Sequence, residues 1–233
     1  MKNLRVILTY NCNLRCSFCY QAHYDKTLLS IDSVKSFIKG NPDIERITLF
    51  GGEPIMHPEL MSIATLLRKA YPKAYITMTS NGSGCYDDYI YLLDNVLNNL
   101  SISITDHGVY LAINALFENY YKKIRLNCVN FHSILLMETA LNLYFRYNVA
   151  LTFCGDLMQK GGNVAEQDMF SLLSNFNKQK TGPGTYMFTQ GNRYLMYFDN
   201  EYDEEYNNSF NELILLPSGK VTTDYSDVMK GVI

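Results

Sequence analysis

Tyr10-Asn-Cys-Asn-Leu-Arg-Cys-Ser-Phe-Cys-Tyr20 is the stretch around which this chain is read. Cys12, Cys16 and Cys19 stand in a C-x3-C-x2-C spacing, and an apolar run, Leu4–Thr9, leads straight into them. Thiolates this close in sequence can converge on one inorganic centre, so the ligand count matters. Three are one short of the four that usually hold an iron–sulfur cluster or a structural zinc. Two completions stay open. With no fourth protein ligand, one metal position is left for an external molecule. With His23, four residues after Cys19, the set closes into a Cys3His zinc site.

The remainder of the composition narrows the setting. At 233 residues the chain is one large domain, or a domain with a small addition, with ample length for a core. Hydrophobic residues at 47% and charged residues at 18% describe neither a disordered nor a membrane-embedded chain. A net charge of −3, with no long basic run, gives no signal for non-specific binding to nucleic-acid phosphates. Met1-Lys2-Asn3-Leu4 reaches a strand-like run without a signal-peptide pattern, and no apolar stretch approaches eighteen residues, so a cytoplasmic protein with no membrane partner is expected. Six cysteines in such a setting do not predict a disulfide framework. Cys85, Cys128 and Cys154 are scattered along the chain.

Strand and helix patterns alternate from the triad onward. Leu4–Tyr10 reads as a strand, and 11–29 lacks periodicity, as functional loops do. Ser30 is a plausible N-cap for a short helix ended by Gly40. Arg46–Phe50 is the next strand, followed by Gly51-Gly52-Glu53-Pro54 and a helix from Pro58 to Ala70. Further strands are expected at Ala74–Thr79, Leu100–Thr105, Lys123–Val129 and Val149–Cys154. Helices are expected at Tyr86–Leu97, 109–120, Ile134–Tyr147 and Gln167–Phe176. Strands alternating with helices imply parallel pairing and right-handed crossovers. The expected class is therefore α/β, as six strand–helix units in an open doubly wound sheet or an incomplete (β/α)6 parallel barrel. Strand alternation favours the barrel. Ser101, Ser103 and Thr105 share one face of their strand, and Arg125, Asn127 and Val129 one face of theirs, whereas a sheet covered on both sides is apolar on both.

Past residue 180 the pattern changes to short hairpins, Tyr186–Thr189 with Arg193–Phe198 and Leu213–Leu216 with Lys220–Thr223. We expect a partial barrel over 1–180 and a small C-terminal antiparallel β appendage over 181–233. The acidic loop at Asp203-Glu204-Glu205 reads as solvated surface.

A cysteine triad leaving one strand and Gly-Gly-Glu-Pro leaving the next together resemble the radical S-adenosylmethionine (radical SAM) superfamily. The matching stretches are Cys-Asn-Leu-Arg-Cys-Ser-Phe-Cys at 12–19 and Leu-Phe-Gly-Gly-Glu-Pro at 49–54. The resemblance implies that Cys12, Cys16 and Cys19 hold one 4Fe-4S cluster whose remaining iron takes S-adenosyl-L-methionine. It implies that Phe18 packs near the adenine and that Gly51, Gly52, Glu53 and Pro54 form the methionine-binding turn. Glycines suit close backbone approach, and a carboxylate suits an ammonium group. Asn81, Ser103 and Asn127, at later strand ends, correspond to ribose and carboxylate contacts. No arginine occurs between Val109 and Tyr120, where the family often has one, and Arg125, on the inward face of the fifth strand, is expected to substitute for it. The implied chemistry is reductive cleavage of the cofactor to a 5′-deoxyadenosyl radical that takes a hydrogen atom from a substrate. A reductant such as flavodoxin or ferredoxin would supply the electron.

Cys154 faces the same side as Ala150 and Thr152 and is a candidate hydrogen-atom donor; Cys128 reads as core. Asp106, His107 and His132 follow strands and read first as caps or turn residues. The tail from Leu216 to Asp224 resembles the opening of the SPASM-type extension of peptide-modifying members, with Asp224 where that extension has a cysteine. A peptide or protein substrate is the leading expectation. A nucleotide or other small metabolite comes second, glycyl-radical enzyme activation third, and a non-catalytic zinc module using His23 belongs to a different class.

Overall fold

The computed structural model describes residues 2–16, 19, 25–105, 114–129, 134–155, 164–182, 184–198 and 212–228. Strands and helices alternate as β1 (Asn3–Ile7), α1 (Ile31–Gly40), β2 (Arg46–Phe50), α2 (Leu60–Ala70), β3 (Tyr75–Ser80), α3 (Tyr86–Asn95) and β4 (Asn99–Ile104). They continue through α4 (Asn114–Tyr120), β5 (Ile124–Val129), α5 (Ile134–Tyr147), β6 (Ala150–Cys154) and α6 (Val164–Leu172). Five strands then follow: β7 (Asn177–Gly182), β8 (Thr185–Gln190), β9 (Arg193–Phe198), β10 (Glu212–Leu215) and β11 (Val221–Thr222). The class is the expected one, mostly parallel α/β with antiparallel strands toward the C-terminus.

Contacts divide the chain into two units, one of 1–15, 19–100 and 208–233, the other of 16–18 and 101–207. The boundary expected at 180/181 falls inside β7. In the first unit the strand order is β11-β10-β1-β2-β3. β1 pairs parallel with β2 (Val6 opposite Leu49), and β2 with β3 (Leu49 opposite Met78). Leu4, Val6, Ile47, Leu49, Ile76 and Met78 are buried along these strands. Helix α1 starts where Ser30 Oγ accepts the Ser33 amide at 3.1 Å and buries Val34 and Phe37. Helix α2 buries Leu60, Ile63, Ala64 and Leu67, a 3.6-residue stripe.

The attachment of the C-terminal segment was not expected. Antiparallel pairing of β10 with β11 is as read from the sequence, but β10 also lies parallel to β1, with Asn3 opposite Glu212 and Val6 opposite Leu215. Ile214, Leu216 and Val228 thereby join Ile7 and Tyr10 in a buried cluster. Polar contacts set the same register. The Glu212 carboxylate lies 3.2 Å from the Arg5 guanidinium and accepts the Tyr225 hydroxyl, while that guanidinium covers the rings of Phe50 and Tyr225.

In the second unit the order is β5-β6-β9-β8-β7. β5, β6 and β9 are parallel, and β9, β8 and β7 form an antiparallel meander. Strand β7 has no apolar residue and so carries no periodic signal. It is held by pairing with β8 and by the Lys178 ammonium, 3.6 Å from the Phe170 ring centre and 4.4 Å from that of Tyr186. The helix expected at Gln167–Phe176 begins earlier and ends at Leu172, because 177–182 is drawn into the meander. The 109–113 part of the expected fourth helix lies outside the described residues.

Candidate active site

The loop that carries the cysteines is closed at its base by backbone bonds. Leu29 donates to the Leu8 carbonyl at 2.9 Å, and Thr9 bridges Leu28. Across from this base the Gly51-Gly52-Glu53 turn docks on the loop entrance: the Gly52 amide donates to Thr9 O at 2.7 Å and the Glu53 amide to Asn11 O at 2.9 Å. Glycine is required here by space. A Cβ on Gly51 would lie 2.5 Å from Thr9 O, and one on Gly52 would lie 2.4 Å from Asn11 O and 2.5 Å from Tyr10 O. Pro54 then opens a short 3-10 turn, Pro54–Met56.

Glu53 is 1% exposed, and its carboxylate faces inward to protein donors. Oε1 accepts the Ile55 amide at 3.2 Å and the Ser80 hydroxyl at 2.8 Å, and Oε2 accepts the Asn81 amide at 2.6 Å. Because Ser80 spends its proton on Glu53, the Tyr89 hydroxyl donates to Ser80 Oγ at 2.7 Å and accepts the Gly84 amide at 3.1 Å. Burial pushes the Glu53 carboxyl up, and the three hydrogen bonds pull against it. The carboxylate expected to face an ammonium group thus also ties the end of β3 to the glycine turn. Ser80 and Tyr89 were not singled out from the sequence, because neither belongs to a motif and their partners lie elsewhere in the chain.

Cys12, Cys16 and Cys19 are half-buried and in no disulfide. Cys12 Sγ receives the Leu14 amide at 3.4 Å, and the Asn81 Nδ2 group stands 3.9 Å from it. Burial pushes the Cys12 thiol up; the Leu14 amide opposes this, and Glu53 and Cys19 add to it. Cys12 and Cys19 belong to the first unit and Cys16 to the second. Among the described residues no group of three or more His, Cys, Asp or Glu side chains is arranged to hold a metal ion. The donor set itself suits an iron–sulfur cluster: three cysteines in no disulfide, soft ligands on one loop whose entrance meets a glycine cradle that a side chain would fill. Phe18 and His23 lie outside the described residues, as do Asp106, His107, His132 and the acidic loop.

The remaining expected residues belong to the second unit. Ser103 is half-buried on β4, with Leu100, Ile102 and Ile104 buried on the other face of the strand. Register places Arg125 opposite Ala150 and Asn127 opposite Thr152, and Cys154 follows Thr152 by two along its strand, so Arg125, Asn127 and Cys154 share one face as expected. Cys128 lies on the other face, opposite Phe153, and is buried. Burial pushes the Cys154 thiol up to about 12, with Arg125 opposing, so it is protonated at neutral pH.

His57 was not singled out from the sequence, because its partner is remote in the chain. It is 3% exposed; Nδ1 accepts the Glu59 amide at 3.1 Å, which leaves the proton on Nε2 to donate to Leu29 O at 3.1 Å. The neutral ring therefore fastens the exit of the cysteine loop to the end of the glycine turn. Burial pushes its pKa down, the Leu29 bond opposing. An unfolded imidazole takes up its proton near the ordinary value, and the folded one resists it to lower pH. His57 thus favours folding above pH ~6.5 and loses that contribution as pH falls through the folded value. Melting temperature measured from pH 8 to pH 5 should fall more steeply in the wild type than in His57→Gln.

The radical SAM superfamily profile matches residues 6–133, more than half of the chain. GTP 3',8-cyclase of Aquifex aeolicus is 32% identical over 90 residues, which are 35% of this chain and 28% of that protein. The same enzyme of Clostridium perfringens (strain 13 / Type A) is 30% identical over 109 residues, covering 43% and 33%. The match spans only a quarter to a third of these relatives' length. SuiB of Streptococcus suis, solved with its precursor peptide SuiA, has the same fold over 99% of this chain and 60% of its own, with a TM-score of 0.68 and 12% identity. The structure of anSMEcpe with bound AdoMet and the Cp18Cys peptide covers 75% of this chain and 58% of its own, with a TM-score of 0.55 and 18% identity.

Proposed function

The chain belongs to the radical SAM superfamily of enzymes, which use a 4Fe-4S cluster and S-adenosylmethionine, and from that premise we propose that it modifies a peptide or protein by hydrogen-atom abstraction. The observation that carries the catalytic reading is the docking of the glycine turn on the entrance of the loop bearing Cys12, Cys16 and Cys19. When bound, the cluster and cofactor supply the radical that removes a hydrogen atom from the substrate. The chain's own residues do the rest. Cys12, Cys16 and Cys19 are the metal ligands. Gly51 and Gly52 would form the turn that meets the cofactor's methionyl group, and Glu53, pinned by Ser80 and Asn81, holds that turn in place. Phe18 is proposed at the adenine, and Ser103, Asn127 and Arg125 at the ribose and carboxylate. Cys154 retains the S–H that a hydrogen-atom donor needs.

A peptide substrate is supported by the tail's resemblance to peptide-modifying members. The fold shared with SuiB and anSMEcpe, whose structures hold peptides, points the same way. A nucleotide is the second reading, favoured by the 30–32% identity to GTP 3',8-cyclases. The proposed setting is the cytoplasm, where the six cysteines stay reduced and a flavodoxin or ferredoxin can donate the electron. No helix among the described residues is long and apolar enough to cross a membrane.

Anaerobic reconstitution tests the reading. Uptake of about four irons per chain, with 5′-deoxyadenosine formed on reduction, supports it; one zinc and no nucleoside product overturns it in favour of the zinc module. Deuterium transfer into 5′-deoxyadenosine from labelled peptide or labelled nucleotide pools then separates the two substrate readings.

A further inference from the structure

Asn81 is only 8% exposed and is fixed at several points. Its backbone amide donates to Glu53 Oε2 at 2.6 Å, and its Oδ1 accepts the Ser83 amide at 2.9 Å. A backbone amide can only donate, so the oxygen of the Asn81 side chain must face Ser83 and the nitrogen must face the opposite way. That nitrogen lies 2.8 Å from Asn13 Oδ1 and 3.9 Å from Cys12 Sγ. An amide nitrogen carries two hydrogens. One serves Asn13, and the other faces the sulfur.

As a thiol, Cys12 can donate weakly to Asn13 Oδ1, which lies 4.0 Å from Sγ. Metal coordination requires the thiolate, which only accepts. Among the described residues, the Leu14 amide at 3.4 Å and the Asn81 side-chain amide are then the two donors directed at this sulfur. The Leu14 donor is backbone and survives substitution, whereas the Asn81 donor is removed by a side-chain change. Hydrogen bonds to cluster sulfurs stabilise the more negative, reduced state and raise the potential.

We propose that Asn81 is a positioning residue whose side-chain amide donates to the Cys12 thiolate and so makes the metal centre easier to reduce. This rests on the reading of Cys12 as a cluster ligand and departs from the cofactor contact that the resemblance implies for Asn81. The network gives the donor a second consequence. The same residue that joins β3 to Glu53 also touches a metal ligand, so turn position and redox poise are set together.

The test is a redox titration of the full, reconstituted chain, followed by electron paramagnetic resonance, in wild type, Asn81→Ala and Asn81→Asp. Iron content is measured alongside. Asn81→Ala should keep its iron and show a reduction equilibrium about tenfold less favourable, which for one electron is ~59 mV. Asn81→Asp keeps an acceptor for Ser83, removes the donor and adds a negative charge, so its shift should be larger. If the alanine variant loses iron, the aspartate variant carries the measurement. Iron-loaded variants with the wild-type potential overturn the role of Asn81 alone. A wild-type chain that takes up no iron overturns the cluster reading beneath it.

Discussion

Replacement of Cys12, Cys16 or Cys19 by alanine is expected to abolish iron loading and the reductive formation of 5′-deoxyadenosine. Three thiolates already leave the cluster one protein ligand short, so a two-thiolate loop has no reserve. Loss of an outer-shell partner of a metal ligand commonly costs 10–100-fold, and loss of a ligand itself should exceed about 100-fold in metal affinity. Chemically determined iron and sulfide after anaerobic reconstitution, with product quantified on dithionite addition, gives the readout. Cys85→Ala is the matched control. Cys85 is exposed at the start of α3 and its side chain makes no capping hydrogen bond, so its variant should load and turn over as the wild type does. His23→Ala separates the two completions of the triad. Retained iron is expected, and loss of the only bound metal on that change would favour the Cys3His reading.

Gly52→Ala should produce the second-largest effect. Its added methyl group would meet Asn11 O at 2.4 Å, Tyr10 O at 2.5 Å and the Asn11 carbonyl carbon at 2.7 Å, all main-chain atoms that no rotamer change can remove. The turn must then lift from the loop entrance, breaking the 2.7 Å and 2.9 Å bonds to Thr9 O and Asn11 O. Overpacking of this kind costs about 1–3 kcal/mol, and a chain of this size loses roughly 2–4 °C in melting temperature for each kcal/mol. Cofactor binding should weaken with it, since the displaced turn is the proposed methionine site. Gly40→Ala provides the contrast: nothing lies within 4 Å of a Cβ there, at the end of α1, and the change should be neutral or slightly stabilising. A Gly52→Ala protein with wild-type melting temperature and cofactor affinity would remove the docking argument.

The strand–helix alternation was legible because each unit has its own short-range signal. Arg46–Phe50 and Ile134–Tyr147 have the bounds read from apolar spacing, and Ser30 caps α1 as its residue type suggests. Strand β7 was not legible, since Asn177-Lys-Gln-Lys-Thr-Gly182 contains no apolar residue and owes its conformation to β8 and to aromatic rings under Lys178. The metal and cofactor motifs stood out because cysteine and glycine at fixed spacing are rare by chance. Their supports did not: Ser80, Tyr89 and His57 are ordinary residue types whose roles come from partners far away in the chain.

The sequence by itself determined the family and the mostly parallel α/β class, and its motifs are the ground on which residues are proposed to meet a metal and its cofactor. Each depends on local spacing, which a chain carries before it folds. Tertiary structure alone decided that β10 joins β1, that the Glu53 carboxylate is held by Ser80 and Asn81, and that the Asn81 amide faces a cysteine sulfur. Those outcomes follow from burial. A carboxylate or amide taken out of water must find whatever partner the folded chain brings within reach, and spacing along the sequence does not say which that will be.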